Sequence, residues 1–74
     1  MRYFYEYKYK NGSKVGGHNL EKIIIDNNII ILKGVDMIPT YYDVEGHYWT
    51  QIIDMNEIEY LKIEPMQELE GNNE

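Results

Sequence analysis

The chain contains no cysteine, a single serine and two histidines, and these shortages remove most catalytic chemistry before any pattern is read. Without thiols there can be no disulfide, no thiolate metal site and no thiol nucleophile. The serine, Ser13, follows Asn11-Gly12 in a turn signature, and the nearest histidine, His18, lies beyond Gly16-Gly17. A nucleophile and its base need mutual orientation by a third group, and none is positioned here, so the chain reads as a non-enzyme. Gly16-Gly17 lacks the helix start and the spacing of a phosphate-binding loop, and no cofactor is expected.

Long apolar runs are missing too. The longest, residues 23–25 and 29–32, fall far short of the roughly 20 residues that a membrane helix requires. Nothing after Met1 has the pattern of a signal peptide, so the reading expects a cytoplasmic protein that makes no membrane contact. Asn11-Gly12-Ser13 is then a turn and not a glycan acceptor.

Bases are scarce and unevenly placed. Of 74 residues, 7 are Lys or Arg and 13 are Asp or Glu, for a net charge of −6. Residues 1–35 hold Arg2, Lys8, Lys10, Lys14, Lys22 and Lys33 against Glu6, Glu21 and Asp26, a balance of +3; from Asp36 onward ten acids face Lys62 alone, a balance of −9. Neutralising phosphates needs a broad cationic stripe, so direct nucleic-acid binding is disfavoured. An acidic half suits a protein partner with a basic surface instead. A chain this short forms one small domain, close to the size at which a core no longer holds unaided. With no disulfide to help, a homo-oligomer is expected as the means of burying more surface.

What the sequence has in excess is tyrosine. Tyr3, Tyr5, Tyr7 and Tyr9 alternate with Phe4, Glu6 and Lys8, and a period of two is that of a β-strand. The charged opposite face points the phenols inward or into an interface, where each ring buries like an apolar group but its hydroxyl needs a partner. Asn11-Gly12 then predicts a type I′ hairpin turn. Residues 15–19, with two glycines, predict a bulge or loop, followed by a second strand over 20–25. Asp26-Asn27-Asn28 turns the chain into a third strand over 29–33. Apolar on both sides, residues 23–25 and 29–32 are expected to be buried on both faces or in an interface. Residues 34–46, containing Pro39, predict a long function-bearing loop. A fourth strand covers 47–53, with Tyr48 and Thr50 on one face and His47, Trp49 and Gln51 on the other. Asp54 and Glu57 have capping-box spacing, which starts a helical turn, and a fifth strand then runs to Pro65. Residues 1–65 thus make one mainly β domain, a small antiparallel five-stranded barrel or strongly bent sheet with one short helical turn. Residues 66–74 form an acidic tail expected to be disordered.

A tight first hairpin over residues 7–15 and a helical turn leading into a last strand over residues 54–64 resemble a small barrel of the Sm-like kind, whose members usually form rings and bind RNA. In size, acidity and isoleucine and asparagine content, the whole chain also resembles the short accessory proteins of bacteriophages and mobile elements, including anti-CRISPR and other anti-defence inhibitors. That second resemblance implies a protein that blocks a host protein or sequesters a signalling nucleotide.

Two candidate surfaces follow. The first comprises Tyr41, Tyr42, Asp43, Glu45, Tyr48 and Trp49, with the aromatics as anchors and the acids steering a basic partner and mimicking phosphates. The second serves an oligomeric binder that traps a nucleotide-like ligand between subunits. There Tyr5, Tyr7 and Tyr9 stack on a base while Lys8, Lys10, Lys14 or the backbone of Gly16 and Gly17 receives phosphate. Asp43, Glu45 and His47, with His18, have the alternation of a metal-ligand set, but such spacing is common in loops and no metal is expected.

Overall fold

In a computed structural model that describes residues 1–67, five strands form a single antiparallel sheet. They are β1 (Tyr3–Tyr9), β2 (Lys14–Asp26), β3 (Ile29–Pro39), β4 (Val44–Asp54) and β5 (Ile58–Pro65), with a 3-10 turn, Met55–Glu57, before the last. The order across the sheet is β4-β3-β2-β1-β5, and β4 does not close onto β5. The fold is therefore the bent-sheet alternative and not the barrel.

The bend follows from distances. β1 and β4 are three strand spacings apart, roughly 14 Å in a flat sheet. Yet the Tyr7 hydroxyl donates to Gln51 Oε1 over 2.7 Å, and the rings of Tyr5 and Trp49 lie 5.6 Å apart. β2 makes this possible by changing partner along its length. Its first half, to Leu20, pairs with β1, and its second half, from Leu20, pairs with β3. Extra residues on β2 shift both ladders near that crossing, and Asn19 takes a positive φ of 64° there. Bulges of this kind bend a strand and raise its twist, which is how one sheet folds over its own core. The core is Tyr5, Tyr7, Leu20, Ile30, Leu32 and Ile53, flanked by Trp49, Leu61 and Ile63 among others.

Several sequence expectations need correction. The first turn is not type I′, which requires positive φ at both central residues. Only Gly12 has it (φ 99°); its N–H donates to Tyr9 O over 2.9 Å and Tyr9 N–H donates to Ser13 O over 2.8 Å. That is a three-residue loop ending in a glycine bulge, and the Asn11 side chain accepts from Ser13 N–H over 2.9 Å. β2 begins at Lys14, so the glycine-rich stretch is strand with a bulge inside it.

The long loop expected over 34–46 is mostly ladder. β3 continues to Pro39, whose missing N–H is harmless at a strand end, and Val35, Met37 and Pro39 pair with Tyr48, Gly46 and Val44. Burial of the isoleucine runs on both faces is also corrected within the chain. Ile30 and Leu32 are buried, Ile24, Ile29 and Ile31 are half-buried, and Ile23 and Ile25 are exposed although they pair with Leu32 and Ile30, so on that face the core covers β3 and not the end of β2.

The helical turn stands where the spacing put it, with Asp54 Oδ1 accepting from Asn56 N–H over 2.9 Å. Met66 N–H donates to Arg2 O over 2.9 Å, and the remainder of the expected acidic tail, residues 68–74, lies outside the described residues. No helix among the described residues is long and apolar enough to cross a membrane.

Candidate interaction surface

β2 stops pairing with β3 at Gly34, so beyond that point β3 and β4 continue as a two-stranded ribbon. Residues 40–43 turn it. Thr40 Oγ1 donates to Asp43 O over 2.7 Å and accepts from Asp43 N–H over 3.0 Å, while Asp43 Oδ1 accepts from Val44 N–H over 2.7 Å. These bonds fix the tip internally, since threonine and aspartate supply the polar atoms that a turn needs. Tyr41 and Tyr42 project from it, their rings edge to face at 4.8 Å and exposed to 91% and 90%.

The structure brings most of the first candidate set into this ribbon. Tyr41, Tyr42 and Asp43 form the tip. Glu45 follows on β4, its carboxylate 3.3 Å from His47 Nε2, and Tyr48 is exposed on the opposite face. Trp49 is different. It lies on the core side against Tyr5 and over Gly34, and is only half-exposed. Asp43 is likewise partly committed, its side chain closing the turn. The sequence reading missed Met37, Ile38, Val44 and Ile52, all of which the ribbon and its continuation leave exposed. A strand alternation beginning at Val44 would have found the last two.

The second candidate set is not assembled on one face. Tyr5 and Tyr7 are 7% and 4% exposed and face the core. Their hydroxyls meet on Gln51, which accepts from Tyr7 over 2.7 Å and donates Nε2–H to Tyr5 over 2.8 Å. Burial pushes the Tyr7 phenol up to about 12, with Tyr9 and Tyr5 adding to it. Lys8 and Lys14 are opposite each other on the other face of the strands, and Lys8 reaches Glu59 at 3.6 Å. The Tyr5 ring covers Gly17 where a side chain would stand, and Gly16 and Gly17 together line a shallow trough with Phe4, Tyr5, Glu6, Lys62 and Glu64. Tyr9 and Lys10 meet in a separate hollow with Asn56 and Glu57.

On that outer face the Tyr60 hydroxyl donates to Glu6 over 2.5 Å, holding the Glu6 carboxyl below its ordinary range and raising the Tyr60 phenol. Among the described residues no three of His, Asp and Glu gather as metal ligands, and His18 sits on β2 apart from the Glu45–His47 pair.

No protein-family model matches the chain, and comparison with curated proteins and with solved structures gives no match.

Proposed function

We propose that this chain is a non-enzymatic interaction protein that binds and blocks another protein with the acidic, aromatic end of the β3–β4 ribbon. The observation that carries the reading is the Tyr41–Tyr42 pair, two rings in mutual contact, about nine-tenths exposed, on a turn braced by Thr40 and Asp43. Large aromatics on a rigid support give contact area at little entropic cost, which is why they anchor protein interfaces. The charge around them favours a basic partner. From Gly34 to Leu61 the sequence holds six acids and no lysine or arginine. Such a field steers a cationic surface toward the tip and speeds encounter. Blocking of a host protein, of the kind phage accessory inhibitors perform, accords with the chain's small size and acidity.

The test begins with capture of a partner from the native host background, followed by binding kinetics on the purified pair. The Tyr41→Ala/Tyr42→Ala double variant should weaken binding roughly tenfold or more, chiefly by faster dissociation. Glu45→Lys should slow association, and the on-rate of the unmodified protein should fall as salt rises. A dissociation constant unchanged by both variants overturns the reading.

A further inference from the structure

Sheets guard their free edges with lysine, proline, bulges or short strands, because an unpaired row of N–H and C=O groups is a template for another strand. The two edges of this sheet differ in that respect. β5 has 8 residues, carries Lys62, ends on Pro65, and shifts register against β1 between Lys8 and Tyr9. β4 has 11 residues with no lysine, arginine or proline, and it pairs with β3 from Ile29↔Asp54 to Pro39↔Val44 without a shift. Its outer edge has no partner among the described residues. On the face away from the core, Val44, Tyr48 and Ile52 are 51%, 84% and 68% exposed. A long, unguarded edge in unbroken register beside an apolar row is what strand addition requires: main-chain hydrogen bonds give affinity and alternate side chains give specificity.

We infer that the outer edge of β4 receives an extended segment of a basic protein partner, apolar at alternate positions and lysine or arginine at those between. This rests on the interaction reading above and names the element of the partner that is engaged. The apolar side chains cover Val44, Tyr48 and Ile52, while the basic ones face Glu45, with Asp36 on the same side of the ribbon opposite His47. Charge selects such a segment over a second copy of this chain. A second β4 brings another Glu45 and Asp54 with no base, and a second β5 brings Glu59 and Glu64 against Lys62 alone.

The probe is a capped synthetic peptide of the length of β4 that alternates valine and lysine, compared with a peptide of identical composition in block order. Both are titrated into the full chain, followed by backbone NMR shifts and amide exchange. The alternating peptide should bind roughly tenfold or more tighter than the block peptide, and slow exchange in β4 selectively. Methylating its backbone nitrogens on one parity should abolish binding, and on the other parity should not. Tyr48→Lys with Ile52→Lys, both at exposed positions, should weaken binding by a similar factor while leaving the amide spectrum of the core unchanged. Equal binding of the block peptide, protection of β5 in place of β4, or self-pairing of β4 between copies in sedimentation and exchange would each overturn the inference. Failure here is separable from failure of the interaction reading, because that reading is also tested by Tyr41→Ala/Tyr42→Ala, outside β4, with the captured partner.

Discussion

The indole of Trp49 lies directly over Gly34 on the neighbouring strand, in space that any Cβ would take. A methyl placed there would overlap Cζ2 and Cε2 of the ring and, on its other side, the backbone oxygen of Asn19. A flexible side chain could yield, but the Asn19 carbonyl stands at the bulge where β2 changes partner and cannot move without disturbing both ladders. Overpacking of this sort costs typically 1–3 kcal/mol, and the backbone overlap puts Gly34→Ala at the upper end, about 3 kcal/mol. Urea unfolding followed by Trp49 fluorescence checks this, with a clear fall in midpoint as the expected outcome.

Gln51 holds β4 to β1 through the hydroxyls of Tyr5 and Tyr7, using both ends of its amide. Gln51→Leu keeps the bulk but leaves two buried phenols without a partner, so a loss of about 1–3 kcal/mol is expected. Tyr7→Phe removes one of those orphaned groups. In a double-mutant cycle the two changes should therefore be non-additive, the pair costing less than the sum, and strict additivity would refute the bridge.

The Tyr7 phenol makes stability fall on the alkaline side. Its pKa is pushed up to about 12 in the folded chain from an ordinary value of 10.0, so the folded state holds the proton more tightly than the unfolded state. The contribution is complete below the unfolded value and is lost as pH climbs from 10 toward 12. Glu6 acts with the opposite sign. Its carboxyl is lowered from 4.5 by the Tyr60 hydroxyl, so its contribution is complete above that value and is lost as pH falls below it. Denaturant midpoints across both ranges should show a shallower alkaline decline in Tyr7→Phe and a shallower acid decline in Glu6→Gln.

Much of this architecture is legible in the residues because it is local. The tyrosine alternation set β1 and its buried face, Asp26-Asn27-Asn28 set the second hairpin, and Asp54 with Glu57 set the helical turn. What was not legible depends on partners distant in sequence. Residues 34–46 looked like a loop because glycine and proline punctuate them, yet cross-strand pairing makes all but residues 40–43 strand, with Pro39 tolerated at the end. Gln51 gave no sign of its role, since an alternating polar residue normally faces water, and only the fold of the sheet brings β1 over it. Gly17 was legible as part of a bulge or loop and Gly34 as the start of a long connection, but that Tyr5 and Trp49 fill the space of their missing side chains is a property of the bend. The same bend divides the candidate surface, drawing Trp49 inward and leaving Tyr41 and Tyr42 outside.

That division gives a prediction on the aromatic set as a whole. Trp49 packs on Tyr5 with a ring separation of 5.6 Å, so Trp49→Ala removes a wall of the core and should cost about 3 kcal/mol. In a domain this small each kcal/mol shifts the melting temperature by roughly 4–8 °C, so the loss is large in a thermal scan. Tyr41 and Tyr42 touch chiefly each other and solvent, and the turn beneath them is closed by Thr40 and Asp43. Tyr41→Ala with Tyr42→Ala should therefore leave stability within about 0.5 kcal/mol. Loss of partner binding in the double variant at an unchanged melting temperature marks the tip as a surface kept for contact. A substantial fall in its melting temperature would instead make the pair a structural cap on the ribbon, and loss of binding in Trp49→Ala is informative only below that variant's own transition.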